Sequence, residues 1–130
     1  MAKRTSIELP GAAHKHPIPA ACRVGNILMS SVITGKDPAR GGELPEGIEA
    51  QAEQMFRNMR TILERGGARP EDVIKVNIWM RDVNQRSVLN KFWLEMFPDA
   101  ESRPARHTFP SPDPAAAFLV ESEVVAVIGD

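Results

Sequence analysis

The segment Ser102-Arg103-Pro104-Ala105-Arg106-His107-Thr108-Phe109 decides how this chain is organised, because a turn becomes a strand there. Proline locks the backbone at position 104 and pushes Arg103 toward extended geometry. We therefore expect Arg106 to leave the turn at the start of a strand, and Arg103 to be exposed to solvent. An arginine on a rigid element is the usual partner of a carboxylate, through two parallel hydrogen bonds. Arg106 is thus the predicted anchor of a small-molecule site.

A long apolar run follows this segment and predicts a last strand at about residues 117–128. One face of that strand would carry Phe118, Val120, Ser122, Val124, Ala126 and Ile128. The other would carry Leu119, Glu121, Glu123, Val125 and Val127. An ion pair of Arg106 with Glu121 or Glu123 is therefore an alternative, purely structural role for the arginine.

Two amphipathic helices are predicted upstream of the segment. The first has an apolar stripe at a 3.6-residue period, and Gly66-Gly67 supplies its stop. That stripe consists of Ile48, Ala52, Met55, Phe56, Met59, Ile62 and Leu63. The second helix can be capped by Asp82 or Asn84 and ends at Phe97-Pro98-Asp99. Its stripe consists of Val88, Leu89, Phe92, Trp93 and Met96.

The remaining strand signals lie before and between these helices. Residues 4–9 predict a short edge strand, and residues 21–33 predict a hairpin around Gly25-Asn26. The second half of the hairpin, Ile27 to Ile33, suits a strand buried on both faces. After Glu71-Asp72 the period changes to two, which predicts a strand with Ile74, Val76, Ile78 and Met80 on one face.

The predicted order is strand, hairpin, helix, strand, helix, strand, strand, which is typical of an α+β domain. Each helix has one apolar stripe, so both can cover the same face of one sheet. The opposite face carries Lys75, Asn77, Glu121 and Glu123, and is too polar for a second core. It is too apolar to be left to water, so we expect a partner subunit to cover it.

Composition limits the functional classes. The chain has 130 residues, 42% of them hydrophobic and 25% charged, which predicts one globular domain over residues 1–130. A net charge of −1 provides no basic surface for nucleic acid. The single cysteine, Cys22, favours a reducing compartment. No apolar run indicates a signal peptide or a membrane span, so we expect a cytoplasmic protein.

Several of these segments resemble the RidA/YjgF family of enamine/imine deaminases, of which this chain would be a divergent member. They are Arg23-Val24-Gly25-Asn26-Ile27-Leu28, Ile48-Glu49-Ala50-Gln51-Ala52, and Pro104-Ala105-Arg106-His107-Thr108 leading to Val120-Glu121-Ser122-Glu123. The resemblance implies a chorismate-mutase-like fold, with two helices on one face of a six-stranded, mainly antiparallel sheet. It further implies a homotrimer with sites in the clefts between subunits. The implied activity is cofactor-free hydrolysis of small enamine or imine carboxylates to 2-ketoacids and ammonia.

The resemblance also implies roles for individual residues. Arg106 would bind the substrate carboxylate, and Asn90 would belong to the pocket. Glu121 would act near the imine carbon and its water, with Thr108 as a second catalytic residue. The alternative for Glu121 is an interface carboxylate, and for Thr108 and Asn90 it is local capping or turn hydrogen bonding.

Two departures from the family pattern concern the predicted pocket. Ile18 stands where the family commonly has tyrosine, and Val32, in Ser31-Val32-Ile33, stands where it has glycine. We expect Ile18, Val32 and Ile33 to line a pocket that is smaller, more apolar or rearranged. A trimeric binder of small carboxylate metabolites, without catalysis, is therefore the alternative function.

The remaining reactive side chains carry weaker hypotheses. His14, His16 and His107 could in principle hold a metal, but they lack cysteine or carboxylate partners at ligand spacing, so no metal site is predicted. His107 should point away from Arg106 and pack. A buried, unreactive Cys22 is favoured over a nucleophile. A nuclease is disfavoured by the acidic pI of about 6.3.

Overall fold

The computed structural model describes residues 3–113 and 117–129. Within these ranges it has seven strands and two α-helices. The strands are β1 Thr5–Ile7, β2 Ala21–Val24, β3 Ile27–Ser30, β4 Ile33–Thr34, β5 Val73–Met80, β6 Ala105–Pro110 and β7 Val120–Val127. The helices are α1 Ile48–Arg65 and α2 Ser87–Met96. Both helices pack on the same face of the sheet, which confirms the predicted α+β class and layer arrangement.

The strands form one mixed sheet in the order β1-β2-β3-β7-β5-β6, and β4 also pairs with β7. Every pairing is antiparallel except β5 with β6, which is parallel. Parallel neighbours need a crossover connection, and α2 supplies it. The crossover leaves β6 at the edge of the sheet, directly beside α2, and this placement determines where the Arg106 side chain lies.

The strand predicted over residues 27–33 is divided in two, which gives seven strands instead of six. The backbone of Ser31 donates to the carbonyl of Ala20 at 2.9 Å, and its hydroxyl donates to the carbonyl of Pro19 at 2.8 Å. These bonds draw the chain toward the preceding loop, so the ladder with β7 is interrupted. The hydroxyl of Ser30 accepts from the backbone of Val124 at 2.9 Å.

The prediction that this stretch is buried on both faces is wrong for the single chain. Leu28 is fully buried under the helices, whereas Ile27 and Met29 are exposed on the opposite face. Val24 and Val127 are exposed there as well. The apolar side chains that made the stretch look fully buried therefore belong to the uncovered face of the sheet, here called the open face.

Helix α1 confirms its predicted stripe, with every member buried except Ile48, which is half-buried. Its end also agrees with the prediction, because Gly67 has a φ of +81°. Gly66 is needed for a different reason: a Cβ there would overlap the side chains of Leu28 and Ile7. Glycine at this position lets the end of α1 lie directly on β3.

Strand β5 departs from simple alternation at its start. The register with β7 shifts between Val73 and Lys75, so Val73 is buried and Ile74 is 53% exposed. The prediction that Ile74 faces the core is therefore wrong, whereas Val76, Ile78 and Met80 are fully buried as expected. A bulge of this kind cannot be recognised from the alternation of residue types alone.

Two predicted boundaries also shift. Asp82 accepts from the backbone of Asn84 at 3.0 Å and thereby caps a 3₁₀ turn at Val83–Gln85, not α2 itself. The last strand begins at Val120 instead of residue 117. Neither helix among the described residues is both long and apolar enough to cross a membrane.

Candidate functional site

Arg106 lies on the edge strand β6 and faces the helix layer. Its partner in the parallel ladder is Val76, which is fully buried beneath the helices. Residues paired across a ladder project to the same face of a sheet. Arg106 therefore extends toward α2, and the prediction that it begins a strand is confirmed, since β6 starts at Ala105.

Helix α2 holds the guanidinium in place. Nη2 of Arg106 donates to Oδ1 of Asn90 at 3.1 Å, and Cζ lies 4.9 Å from the centre of the Trp93 ring. Nη1 is buried and has no hydrogen-bond partner among the described residues. A buried donor without an acceptor is costly, so this group is suited to an acceptor brought by a ligand. Arg106, Asn90 and Trp93 are here called the Arg106 cluster.

No described carboxylate neutralises Arg106. The side chain of Glu123 instead accepts from Nδ2 of Asn77 at 3.1 Å. The alternative of an ion pair with Glu121 or Glu123 is thus not realised in the described part of the chain. Burial lowers the pKa of Arg106 and the nearby charge of Arg86 lowers it further, although a guanidinium stays charged at neutral pH.

The Arg106 cluster contains residues that the sequence reasoning did not assign to a site. Trp93 was predicted only as part of the core stripe, and Arg86 was not singled out. Arg86 immediately precedes α2 with a helical backbone, φ −61° and ψ −21°. Arg86, Asn90 and Trp93 therefore follow one another at steps of four and three along one helix face. This spacing, counted from Asn90, is the sequence signal that could have identified Arg86 and Trp93 as site residues.

The two other polar residues near the cluster have different surroundings. Arg103 is exposed, as expected, but its guanidinium donates to the carbonyls of Phe97 at 2.9 Å and Pro98 at 3.3 Å. It thereby ties the turn before β6 to the end of α2. Thr108 is half-buried, pairs with Ile78, and lies on the same face of β6 as Arg106.

Glu121 lies on β7, on the face opposite to that of Arg106. It pairs with Trp79 of β5 and with Thr34 of β4, and its neighbour Ser122 points into the core. Burial raises the pKa of the Glu121 carboxyl. No donor among the described residues hydrogen-bonds to this carboxylate, so its charge is only partly solvated and otherwise uncompensated.

Glu121 lines a cavity of about 230 Å³. Val32 and Ile33 line it too, together with the more polar His14 and Lys36. This space, with Glu121 at its wall, is here called the Glu121 cavity. Its volume is below the typical range for drug-sized ligands and suits a small molecule.

Two buried amides of α1 hold the chain around the Glu121 cavity, and one of them, Asn58, lines it. Nδ2 of Asn58 donates to the carbonyls of Thr34 at 2.9 Å and Lys36 at 2.7 Å. Oε1 of Gln51 accepts from the backbone of Leu119 at 2.9 Å. Gly35 lies so close to α1 that a Cβ there would overlap the backbone of Gln51. The segments on both sides of Glu121 are therefore fixed to the helix layer.

The structure separates the predicted site residues into two groups within one chain. Arg106, Asn90 and Thr108 lie on the helix side at the β6 edge, whereas Glu121 and Val32 border the Glu121 cavity. Ile33 also borders it but is only 3% exposed and belongs to the core. Ile18 is 45% exposed and is not part of the cavity wall.

The histidines and the cysteine have no assigned chemistry in the structure. His107 points away from Arg106, as expected, and stacks on Phe109 with ring centres 3.8 Å apart. Among the described residues, no three His, Cys, Asp or Glu side chains gather where they could hold a metal. Cys22 is half-buried and free.

Comparisons with known proteins agree with this architecture. The family model described as "Endoribonuclease L-PSP" matches residues 10–128. A RutC family protein of Aquifex aeolicus is 34% identical over 118 residues, covering 87% of this chain and 94% of that protein. A 2-iminobutanoate/2-iminopropanoate deaminase of Dermatophagoides farinae is 34% identical over 113 residues, covering 86% of each. The crystal structure of RidA from an Antarctic Psychrobacter superposes with a TM-score of 0.82 and 33% identity, covering 95% of this chain and 99% of that one.

Proposed function

Because this chain belongs to the endoribonuclease L-PSP family, whose relatives include RutC and RidA proteins, we propose that it hydrolyses small imino and enamine carboxylates to 2-ketoacids and ammonia. The observation that carries the proposal is the Arg106 cluster. It presents a guanidinium that is stacked on Trp93 and oriented by Asn90, with Nη1 buried and still without an acceptor. A carboxylate is the anion whose two oxygens match this fork.

In the proposed reaction, Arg106 binds the substrate carboxylate and thereby positions the adjacent imine carbon. A water molecule adds to that carbon, and the proton that it loses passes to the carboxylate of Glu121. Glu121 returns this proton to the nitrogen, which gives the tetrahedral carbinolamine. The carbinolamine hydroxyl then loses its proton to the nitrogen through the Glu121 carboxylate as the carbon–nitrogen bond breaks. Ammonia leaves, and the 2-ketoacid remains. An enamine enters the same sequence after protonation at its β-carbon has converted it to the imine.

The raised pKa of Glu121 suits this role. A carboxyl whose charge is disfavoured by burial exchanges protons nearer to neutral pH than an ordinary glutamate does. Thr108, on the same face of β6 as Arg106, is proposed to complete the hydrogen bonds of the attacking water. No cofactor is needed for hydrolysis of an imine by these groups.

We further propose that the complete site forms between subunits of a homotrimer. Within one chain, Arg106 and Glu121 lie on opposite faces of the sheet and on strands separated by β5. The Arg106 cluster lies at a free sheet edge, which a second chain can approach. The exposed apolar side chains of the open face, such as Ile27, Met29 and Val127, provide the area for such an assembly.

The alternative function is binding of small carboxylates without turnover. It is favoured by Val32, which at 42% exposure adds an apolar branched side chain to the wall of the Glu121 cavity. Ile18, in place of the family tyrosine, offers no hydroxyl to a substrate or water. In this case Arg106 would still bind a ketoacid, but no imine would be consumed.

The deciding experiment generates 2-iminobutanoate in situ with an amino-acid oxidase and follows 2-ketobutyrate. We expect the wild-type protein to accelerate ketoacid release over buffer. Arg106→Ala should lower kcat/KM by at least about 100-fold, because two charge-assisted hydrogen bonds are lost. The matched control, Arg60→Ala, removes an exposed arginine from α1 and should leave the rate unchanged.

Binding separates the two functions. Stabilisation by 2-ketobutyrate, lost in Arg106→Ala but accompanied by no imine hydrolysis in the wild type, would establish the binder instead of the enzyme. Equal ligand stabilisation of the wild-type and Arg106→Ala proteins would contradict both functions, since both depend on this guanidinium.

A further inference from the structure

A second guanidinium stands beside the Arg106 cluster. Arg86 is exposed and lies one helical turn before Asn90. Side chains four residues apart on a helix have Cβ atoms about 5–6 Å from each other. Because Asn90 hydrogen-bonds to Arg106, this spacing places Arg86 beside the same part of the site.

The electrostatics agree with this placement. Among the described residues, Arg86 is the neighbouring charge that lowers the pKa of Arg106, after burial as the larger cause. Its effect requires the two cations to lie within interaction range of each other. The positive potential near the N-terminal end of α2 is therefore the sum of two charges.

No described carboxylate compensates either cation. Among the described residues, the nearby ion pair on α2 belongs to Lys91, whose Nζ lies 3.5 Å from Oε1 of Glu49. Arg86 and Arg106 make no such pair in residues 3–113 and 117–129. Two adjacent like charges destabilise the folded chain, and an anion with two negative groups relieves both.

We propose that the preferred substrate is a dicarboxylic imino acid, with its α-carboxylate on Arg106 and its second carboxylate on Arg86. This inference rests on the proposed function. Hydrolysis of such an imine releases ammonia and a 2-oxodicarboxylic acid, such as 2-oxosuccinate or 2-oxoglutarate. The carbinolamine forms from water and breaks to these products without any oxidant or further reactant. An amino-acid-consuming reaction that produces imines from acidic amino acids must therefore supply the substrate.

The two guanidinium groups favour a ligand with two separate carboxylates over a ligand with one compact phosphate. Arg106 extends from β6 and is stacked on Trp93, whereas Arg86 extends from the exposed start of α2. A dicarboxylate offers one planar acid group to each guanidinium, and each group can be bound bidentately. A phosphate would have to meet both guanidiniums at a single point.

The first test measures Kd for 2-oxoglutarate, 2-ketobutyrate and inorganic phosphate by calorimetry. We expect wild-type protein to bind 2-oxoglutarate about tenfold more tightly than 2-ketobutyrate, as one added charge-assisted contact provides. Arg86→Gln should abolish this preference, because it raises the Kd for 2-oxoglutarate much more than the Kd for 2-ketobutyrate. Arg86→Lys should retain part of the preference, and the control Arg60→Gln should retain all of it.

Other results would overturn the inference. Equal affinity for the two ketoacids, or an unchanged preference in Arg86→Gln, would remove Arg86 from the site. Binding of phosphate more tightly than 2-oxoglutarate, lost in Arg86→Gln, would assign the site to a phosphorylated acid. A change in oligomeric mass in Arg86→Gln with unchanged affinities would make Arg86 an intersubunit contact.

Turnover distinguishes failure of this inference from failure of the proposed function. Imines generated from aspartate and from 2-aminobutyrate are compared as ratios of kcat/KM in the wild-type and Arg86→Gln proteins. Hydrolysis of both at an unchanged ratio would overturn the dicarboxylate preference and leave the deaminase intact. If neither imine is hydrolysed, the deaminase fails, and the affinities still decide whether Arg86 recognises a second acid.

Discussion

The charged groups of the Arg106 cluster and of the Glu121 cavity have opposite surroundings. Arg106 is held by an acceptor on one side and an aromatic ring on the other before any ligand arrives. Glu121 has no described hydrogen-bond donor, and burial makes its charge unfavourable. A group that only binds benefits from being fixed in its charged form, whereas a group that transfers protons benefits from an easily changed charge. The contrast between the two regions therefore suggests which one binds and which one reacts.

The largest expected effect concerns the reacting region. Glu121→Gln keeps the shape of the side chain but removes the base, so we expect kcat/KM for 2-iminobutanoate to fall by about 100-fold or more. The affinity for 2-ketobutyrate should change little, because the carboxylate is bound elsewhere. In the wild type, kcat/KM should decrease as acidic pH protonates Glu121, and this decrease should be absent from any residual activity of the variant.

Glu123 provides the control for this comparison. It lies two residues along the same face of β7, but it accepts from Asn77 at 3.1 Å. Glu123→Gln should keep activity near that of the wild type. An equal loss in Glu121→Gln and Glu123→Gln would mean that general damage to the open face, not loss of a base, lowers the rate.

An intermediate effect is expected in the binding region. Asn90→Leu leaves Nη2 of Arg106 without its acceptor, so the guanidinium loses its orientation. We expect the Kd for 2-ketobutyrate to rise about tenfold, with a smaller change in kcat. Asn90→Asp should weaken binding further, because an internal carboxylate would occupy the guanidinium. Unchanged affinity in both variants, measured by calorimetry, would show that Asn90 does not position Arg106.

The smallest effect concerns stability and pH. The pKa of Glu121 is raised on folding, so its protonated form adds stability below the unfolded pKa, and this stability is lost as pH rises through the folded pKa. The Glu121→Gln variant does not lose this stability as the pH rises, because its amide does not titrate. Its Tm relative to that of the wild type should therefore rise as the pH increases above about 4.

Arg106→Gln is the comparison for this measurement. Because the guanidinium stays protonated throughout that range, its Tm difference from the wild type should not depend on pH. A Tm difference that is flat with pH for Glu121→Gln as well would contradict the assigned protonation of the carboxyl.

Local patterns in the sequence were enough to predict much of this fold. The stripe of α1, its glycine stop, the hairpin at Gly25-Asn26 and the start of β6 near Arg106 are all as predicted. These features depend on periodicity, on the backbone freedom of glycine and on the rigidity of proline, which act within a few residues. The resemblance to the RidA/YjgF family is confirmed by the family match over residues 10–128 and by the RidA structure. It could be recognised from the sequence because each of its motifs is a short contiguous segment.

Other features depend on contacts between distant segments. The interruption at Ser31 results from bonds to Pro19 and Ala20, and the exposure of Ile74 results from a register shift against β7. Neither cause is visible in the residues around it. Alternation identifies which residue types can face a core, but pairing decides which of them do.

The candidate site shows the same division. The residue types and spacing around Arg106 were sufficient to predict that it begins a strand, since proline and strand geometry act locally, and its role as the anion-binding group stays a proposal. Only the tertiary structure decided that Asn90 and Trp93 hold it, that Arg86 stands beside it, and that Glu121 lies on the other face of the sheet. The physical reason is the α2 crossover, which brings one helix face onto an edge strand and can be located only once the strands are paired.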